Sequence, residues 1–248
     1  MTTEPGAVVS DLGQAAWRSA VRTPVTAGSG GGYPRLDLTA CPGLVVVAAR
    51  PDDELLGLGG AIAALVDLGV EVRVVSVCDR DATLMLTGLP ALDRQIPDQR
   101  FDQRVAAEIL GVKELHHLGL PADDLDRHAA GLADDLTELL VGPGLWCAAP
   151  WAGDGDPDST VVARAAELAP PRAAARPLQY PVWSRHLPSA ARPTLPWERV
   201  HTIDVPESAH DRKFTAVRWY IGSFRPDARP VLASVLLPQL AIGEIVFA

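Results

Sequence analysis

Three short segments of the 248-residue chain gather side chains able to do chemistry. They are Arg50-Pro51-Asp52-Asp53-Glu54, Cys78-Asp79-Arg80-Asp81 and Asp154-Gly155-Asp156-Pro157-Asp158-Ser159. Neighbouring carboxylates can act as general acid and base, hold a cation, or simply cap a helix. For the first segment the plain reading is capping by Asp52 or Asp53, and for the second it is a polar loop. The third is rich in oxygen but lacks the ligand spacing and closing glutamate of an EF-hand calcium loop. Gly57, Gly59 and Gly60 follow the first acidic pair and form no G-x-G-x-x-G phosphate loop, and the chain has no G-x-S-x-G nucleophile elbow. His116 and His117 are adjacent on a short strand, so only one ring can point inward. They read as structural or surface residues. Cys41, Cys78 and Cys147 are odd in number, widely spaced and without a C-x-x-C pair, so they read as small buried thiols.

The elements that must position these residues alternate regularly. LVVVAA (44–49), VEVRVVSV (70–77), ELHHLGL (114–120), LWCAAP (145–150) and LQYPVW (178–183) read as strands. Helical patterns at 53–68, 98–110, 131–141 and 160–169 fall between them, and the Ala/Arg/Pro run at 169–177 reads as a helix end and loop. Continuous apolar strands joined by helical crossovers predict an α/β protein with a Rossmann-like, open, mostly parallel sheet and helices on both faces. Ligands of such sheets bind beyond the carboxyl ends of the strands. Function is therefore expected just after residues 49, 77 and 149, and after 183. One domain is expected over 1–248, with residues 1–35 forming an N-terminal helix (about Ser10 to Val21) and a flexible arm around GSGGGYP (28–34).

The formal net charge is −9, with a pI near 5.1, and hydrophobic residues make up 48% of the chain. Such a balance argues against nucleic acid or an anionic membrane as partner. No apolar run reaches membrane-spanning length and the N-terminus has no signal-peptide pattern, so a soluble cytoplasmic protein is expected.

Taken in order, these segments resemble the PIG-L/LmbE-like N-deacetylase family, whose signatures are A-H-P-D-D-E after the first strand and H-P-D-H after the fourth. Here they read Ala49-Arg50-Pro51-Asp52-Asp53-Glu54 and Asp156-Pro157-Asp158-Ser159. LGLGG (56–60), HLGLP (117–121), APW (149–151), QYPVW (179–183) and Lys213 with the helix after it also match. The resemblance covers roughly residues 40–248 and implies a zinc-dependent hydrolase of N-acetylglucosaminyl compounds and related amides. It assigns Asp52 the general-base position, Asp53 a zinc-ligand position and Asp158 the partner of the catalytic histidine. Arg50 and Ser159 stand where the family has its other two zinc ligands, and Asp156 stands where it has the catalytic histidine.

Arginine offers only hydrogen-bond donors and stays charged, so it cannot ligate a metal. Only Asp53 survives of the ligand set, and no cofactor is expected, zinc included. Arg50 is expected to hydrogen-bond Asp52 or Asp53 in the metal's place, with Asp156, Asp158, Ser159, Asp79 and Arg80 completing an acidic pocket. The leading expectation is a homologue without catalysis that binds a small polar or sugar-like ligand or a protein partner. Two alternatives remain: an N-deacetylase with a rebuilt or absent metal site, and a different reaction on the Arg/Asp constellation.

Overall fold

The computed structural model describes residues 33–79, 96–122, 124–182, 184, 195–224, 226, 228–237, 240 and 243–248. The expected N-terminal helix, most of the glycine-rich arm, Arg80, Asp81 and Trp183 lie outside the described residues. Seven strands form one sheet: β1 (Leu44–Ala48), β2 (Val72–Cys78), β3 (Glu114–Leu120), β4 (Trp146–Pro150), β5 (Arg176–Tyr180), β6 (Val200–Thr202) and β7 (Ile245–Phe247). Their order is β3-β2-β1-β4-β5-β7-β6. The first five are parallel, and β7 runs antiparallel to both β5 and β6. The helices are α1 (Asp53–Asp67), α2 (Ile96–Leu110), α3 (Ala129–Leu139), α4 (Pro157–Ala173), α5 (Glu207–Ser223) and α6 (Arg229–Leu236). None of the described helices is long and apolar enough to cross a membrane.

Strands β1 and β4 are apolar on every residue because both faces of the sheet are covered. Leu44 and Val46 of β1 join Val72 and Val74 of β2 in a core with α1, α2 and α5. Val45, Val47 and Ala49 point the other way, into a core with α3 and α4. Close packing of α1 on the sheet needs Gly57. A Cβ there would lie 2.4 Å from the ring of Tyr180, whose hydroxyl donates to Val47 O at 2.8 Å. The three cysteines are buried and free.

The structure departs from the pattern-based reading in three places. Helix α4 continues through Pro170 and Pro171 to Ala173, where 169–177 was expected to be a helix end and loop. The prolines sit in its last turn, where they withdraw the N–H groups that would bond Ala166 O and Glu167 O, and Ala174 ends the helix with φ 52. Strand β5 starts at Arg176 and stops at Tyr180, ahead of Pro181. Lys213 lies in the middle of α5 instead of before a helix.

Candidate active site

Strand β1 and strand β4 are neighbours at the point where the sheet reverses its order, which brings their following turns together. After β1 the chain folds back on itself. Arg50 N donates to Asp53 Oδ2 at 3.0 Å, and Leu56 N closes the first helical bond to Asp52 O at 2.9 Å. Asp52 is held at φ 89, ψ −21, a left-handed conformation uncommon for a residue with a Cβ. Although Asp52 occupies the N-cap of α1, its side chain makes no capping bond. The acidic pair therefore does not cap in the simple way. Asp53 instead fixes the turn from inside.

After β4, Asp156 does cap its helix: Oδ2 accepts from Ser159 N at 2.7 Å, with Pro157 at the first helical position. Its other oxygen, Oδ1, accepts from Arg50 Nη2 at 3.0 Å, and Asp158 Oδ2 accepts from the same nitrogen at 2.7 Å. Arg50 is only 2% exposed. The guanidinium, expected at Asp52 or Asp53, reaches across the crevice to Asp156 and Asp158, and the Arg50 backbone N–H serves Asp53. Asp154, two residues before Asp156, accepts from Val182 N and Ser184 N at 2.7 and 2.8 Å and ties the β4 turn to the end of β5. Its role is structural, and nothing in the sequence pattern distinguished it from its neighbours.

Burial sets the electrostatics. It raises the Asp53 pKa well above the usual carboxylate range against the Arg50 N–H bond, with Asp156 and Glu54 adding repulsion. Burial likewise pushes Glu54 up to about 7 against the Gln103 amide, and the Cys78 thiol up to about 12, with Asp158 contributing. Asp53 Oδ1, Glu54 Oε2 and Ser159 Oγ are buried with no hydrogen-bond partner among the described residues. Of the expected pocket, Arg50, Asp53, Asp156 and Asp158 converge and Ser159 lies beside them. Asp79 turns away to Arg100 of α2, which grips it through two bonds of 2.8 and 2.6 Å.

Zinc asks for about three protein ligands and an open position. At the three positions the motif comparison singles out, this chain offers one carboxylate, one hydroxyl and one buried guanidinium. No group of three or more His, Cys, Asp or Glu side chains among the described residues is arranged to hold a metal ion. This donor set does not fit zinc, since a buried cation held by Asp156 and Asp158 opposes a second cation beside it.

Sequence reasoning missed Gln103, Arg100 and Glu244, and it named Glu54 and Lys213 as motif matches without giving them a role. Lys213 Nζ donates to Glu244 Oε1 at 2.6 Å and to Leu56 O at 2.9 Å, while Glu244 accepts from Gly60 N and Ala61 N, both at 2.7 Å. The ion pair thus braces the middle of α1. On α2 the pattern misleads, because polar Gln99, Asp102 and Gln103 are buried while Phe101 is 59% exposed. That inversion is the signal that one face of α2 meets a polar interior.

Residues 45–169 match the family model described as PIG-L: GlcNAc-PI de-N-acetylase. None of the curated proteins compared with the chain matches it. Among solved structures, the zinc-inhibited form of the teicoplanin deacetylase Orf2 is similar at 18% identity and a TM-score of 0.57, over 82% of this chain and 96% of that one. The N,N'-diacetylchitobiose deacetylase from Pyrococcus horikoshii is 18% identical with a TM-score of 0.53, over 84% of each chain. A 4-carboxy-2-hydroxymuconate hydratase from Pseudomonas putida KT2440 is 16% identical with a TM-score of 0.51, over 83% of this chain and 94% of that one. At such identities the structures establish a shared α/β fold. The sequence match, which spans half of the chain and includes both strand-end turns, goes further: this protein belongs to the PIG-L, GlcNAc-PI de-N-acetylase, family.

Proposed function

We propose that this chain is a non-hydrolytic, metal-free member of its family that binds a small polar, sugar-like ligand. The observation that carries the reading is Arg50, buried and held by Asp156 and Asp158. A guanidinium there neutralises acids but can neither ligate zinc nor activate water. Where the family signature has two histidines, this chain has an arginine and an aspartate that bond each other and join the two turns. The fold does not dictate the chemistry, as its likeness to a hydratase illustrates. The test is acetate release from N-acetylglucosaminyl substrates by the full chain, with and without added zinc, alongside elemental analysis. The expected result is no release above background and no stoichiometric zinc after dialysis. Zinc-stimulated release that Asp53→Asn abolishes would overturn the reading.

A second reading, an N-deacetylase with a rebuilt site, is favoured by Asp52. It keeps a left-handed backbone at the family's general-base position, and such strain collects at functional sites. Release that persists under chelation and is lost in Asp52→Asn would select it.

A further inference from the structure

Away from the Arg50 ion pairs, a second group of buried polar side chains lies on the α2 side of the sheet's carboxyl end. Glu54 is the second residue of α1, and Gln103 reaches it from α2, donating Nε2 to Glu54 Oε1 at 3.0 Å. Both side chains are buried. This bond leaves Gln103 Oε1 and Glu54 Oε2 buried with no hydrogen-bond partner among the described residues. The amide oxygen is an acceptor, and so is the carboxylate when ionised.

His117 stands opposite Ser76 in the β2–β3 register, on the face it shares with Leu115, which packs against the α1–α2–α5 core. Both of its ring nitrogens are buried and neither has a hydrogen-bond partner among the described residues. Burial, helped by the nearby Arg100 cation, lowers its pKa. The ring is then neutral at pH 7 and presents one N–H and one bare nitrogen. Arg100 joins the two halves: it lies one turn before Gln103 on α2 and grips Asp79, with 40% of its side chain left in solvent. Gly119 makes room for that pair, since a Cβ there would lie 3.1 Å from Arg100 Nη2 and 3.4 Å from Asp79 Oδ2.

Few polar atoms stay unpaired in protein interiors, and each calls for a reason. Here they stand on α1, α2 and β3, toward the side of the sheet where open α/β folds take their ligands, and with Glu54 ionised the acceptors outnumber the donors. We infer that Glu54, Gln103 and His117 form a hydroxyl-recognising subsite for a polyhydroxylated, sugar-like small molecule. Ligand O–H groups donate to Gln103 Oε1, Glu54 Oε2 and the bare His117 nitrogen, and the His117 N–H donates to a ligand oxygen. The assignment rests on the binding-protein reading above and adds which residues read the ligand, and by what chemistry.

The probes are methyl α-D-glucoside, which carries hydroxyls and no amine, and glucosamine, which adds an ammonium. Each is titrated into the full chain, with calorimetry for affinity and ¹⁵N-labelled histidine for the His117 ring. The glucoside should shift the His117 ring signals saturably, and Gln103→Met and His117→Phe should each weaken binding about tenfold. Should His117→Phe fail to fold, Gln103→Met and the parent's ring signals decide alone. Binding of glucosamine without binding of the glucoside would mean recognition of ammonium by Glu54 and would overturn the hydroxyl assignment. Equal affinity in both variants with an unmoved ring overturns the subsite and leaves the binding-protein reading standing. No response to either sugar, with His117→Phe more stable than the parent, means that water alone serves these atoms, and it overturns the subsite too. Acetate release and zinc content judge the underlying reading separately.

Discussion

Arg50 carries a charge that it cannot shed, in a place where water cannot reach it. Removing one partner of a buried ion pair strands the other, at a cost of about 3–5 kcal/mol. Arg50→Ala should therefore destabilise the fold by about that much in urea titration, while Asp53, bonded to the backbone of residue 50, keeps its position. The motif residues were legible one by one, but the pairing of Arg50 with Asp156 and Asp158 was not. Asp52 and Asp53 are near in sequence, whereas Asp156 is 106 positions away and becomes a neighbour only through strand order. The triple change Arg50→His, Asp156→His and Ser159→His should create zinc binding, because Pro51, Asp52, Asp53, Pro157 and Asp158 already stand at the matching positions. Zinc titration of the folded variant is the measurement, and affinity no better than the parent's would count against the alignment of the two turns. Glu54 adds a pH effect. Its folded pKa is raised from 4.5 to about 7. The folded state thus favours the protonated acid, and the associated stability is complete below pH 4.5 and lost as pH rises through 7. Glu54→Gln should remove that slope, so its advantage over the parent should grow from about 1 kcal/mol at pH 5 to about 3 kcal/mol at pH 8, read by denaturation at each pH.

Elements differ in how openly their sequences declare them. Strands β1 and β4 are apolar throughout and β2 carries only Arg73 and Ser76 among apolar residues, because helices cover both faces, and a run of strand length bounded by polar turns is hard to misread. Strands β6 and β7, three residues each, are too short to show any period, and pairing alone defines them: β7 antiparallel to β5 and β6, and Thr202 of β6 bridged in parallel to Arg35. Helix α2 is the sharper case. Periodicity placed it correctly, but its buried face is partly polar, so hydrophobic pattern could not orient it. Helix α1 depends on contacts that no local rule supplies. Gly57→Ala would drive a methyl group into the Tyr180 ring and should cost about 1–3 kcal/mol. Glu244→Gln should weaken the bonds from Gly60 N and Ala61 N, so those two amides should exchange with deuterium faster than their helical neighbours. Unchanged exchange would show that the brace is not needed for helix order.

For the whole molecule, the parallel strands and their crossovers specify the fold, and the reversal of order between β1 and β4 specifies where its two acidic turns meet. What joins those turns is part of the polypeptide. A metal-bridged site exists only while free ion is present at a concentration near its dissociation constant, and it empties when a chelator competes. A guanidinium on residue 50 is delivered by folding itself, at an effective concentration set by the chain and independent of protein or ion concentration. The thermal midpoint should accordingly be the same with and without a strong chelator. On the metal-free reading proposed above, the junction of the two turns is as permanent as the fold, indifferent to metal starvation and closed to regulation by metal supply.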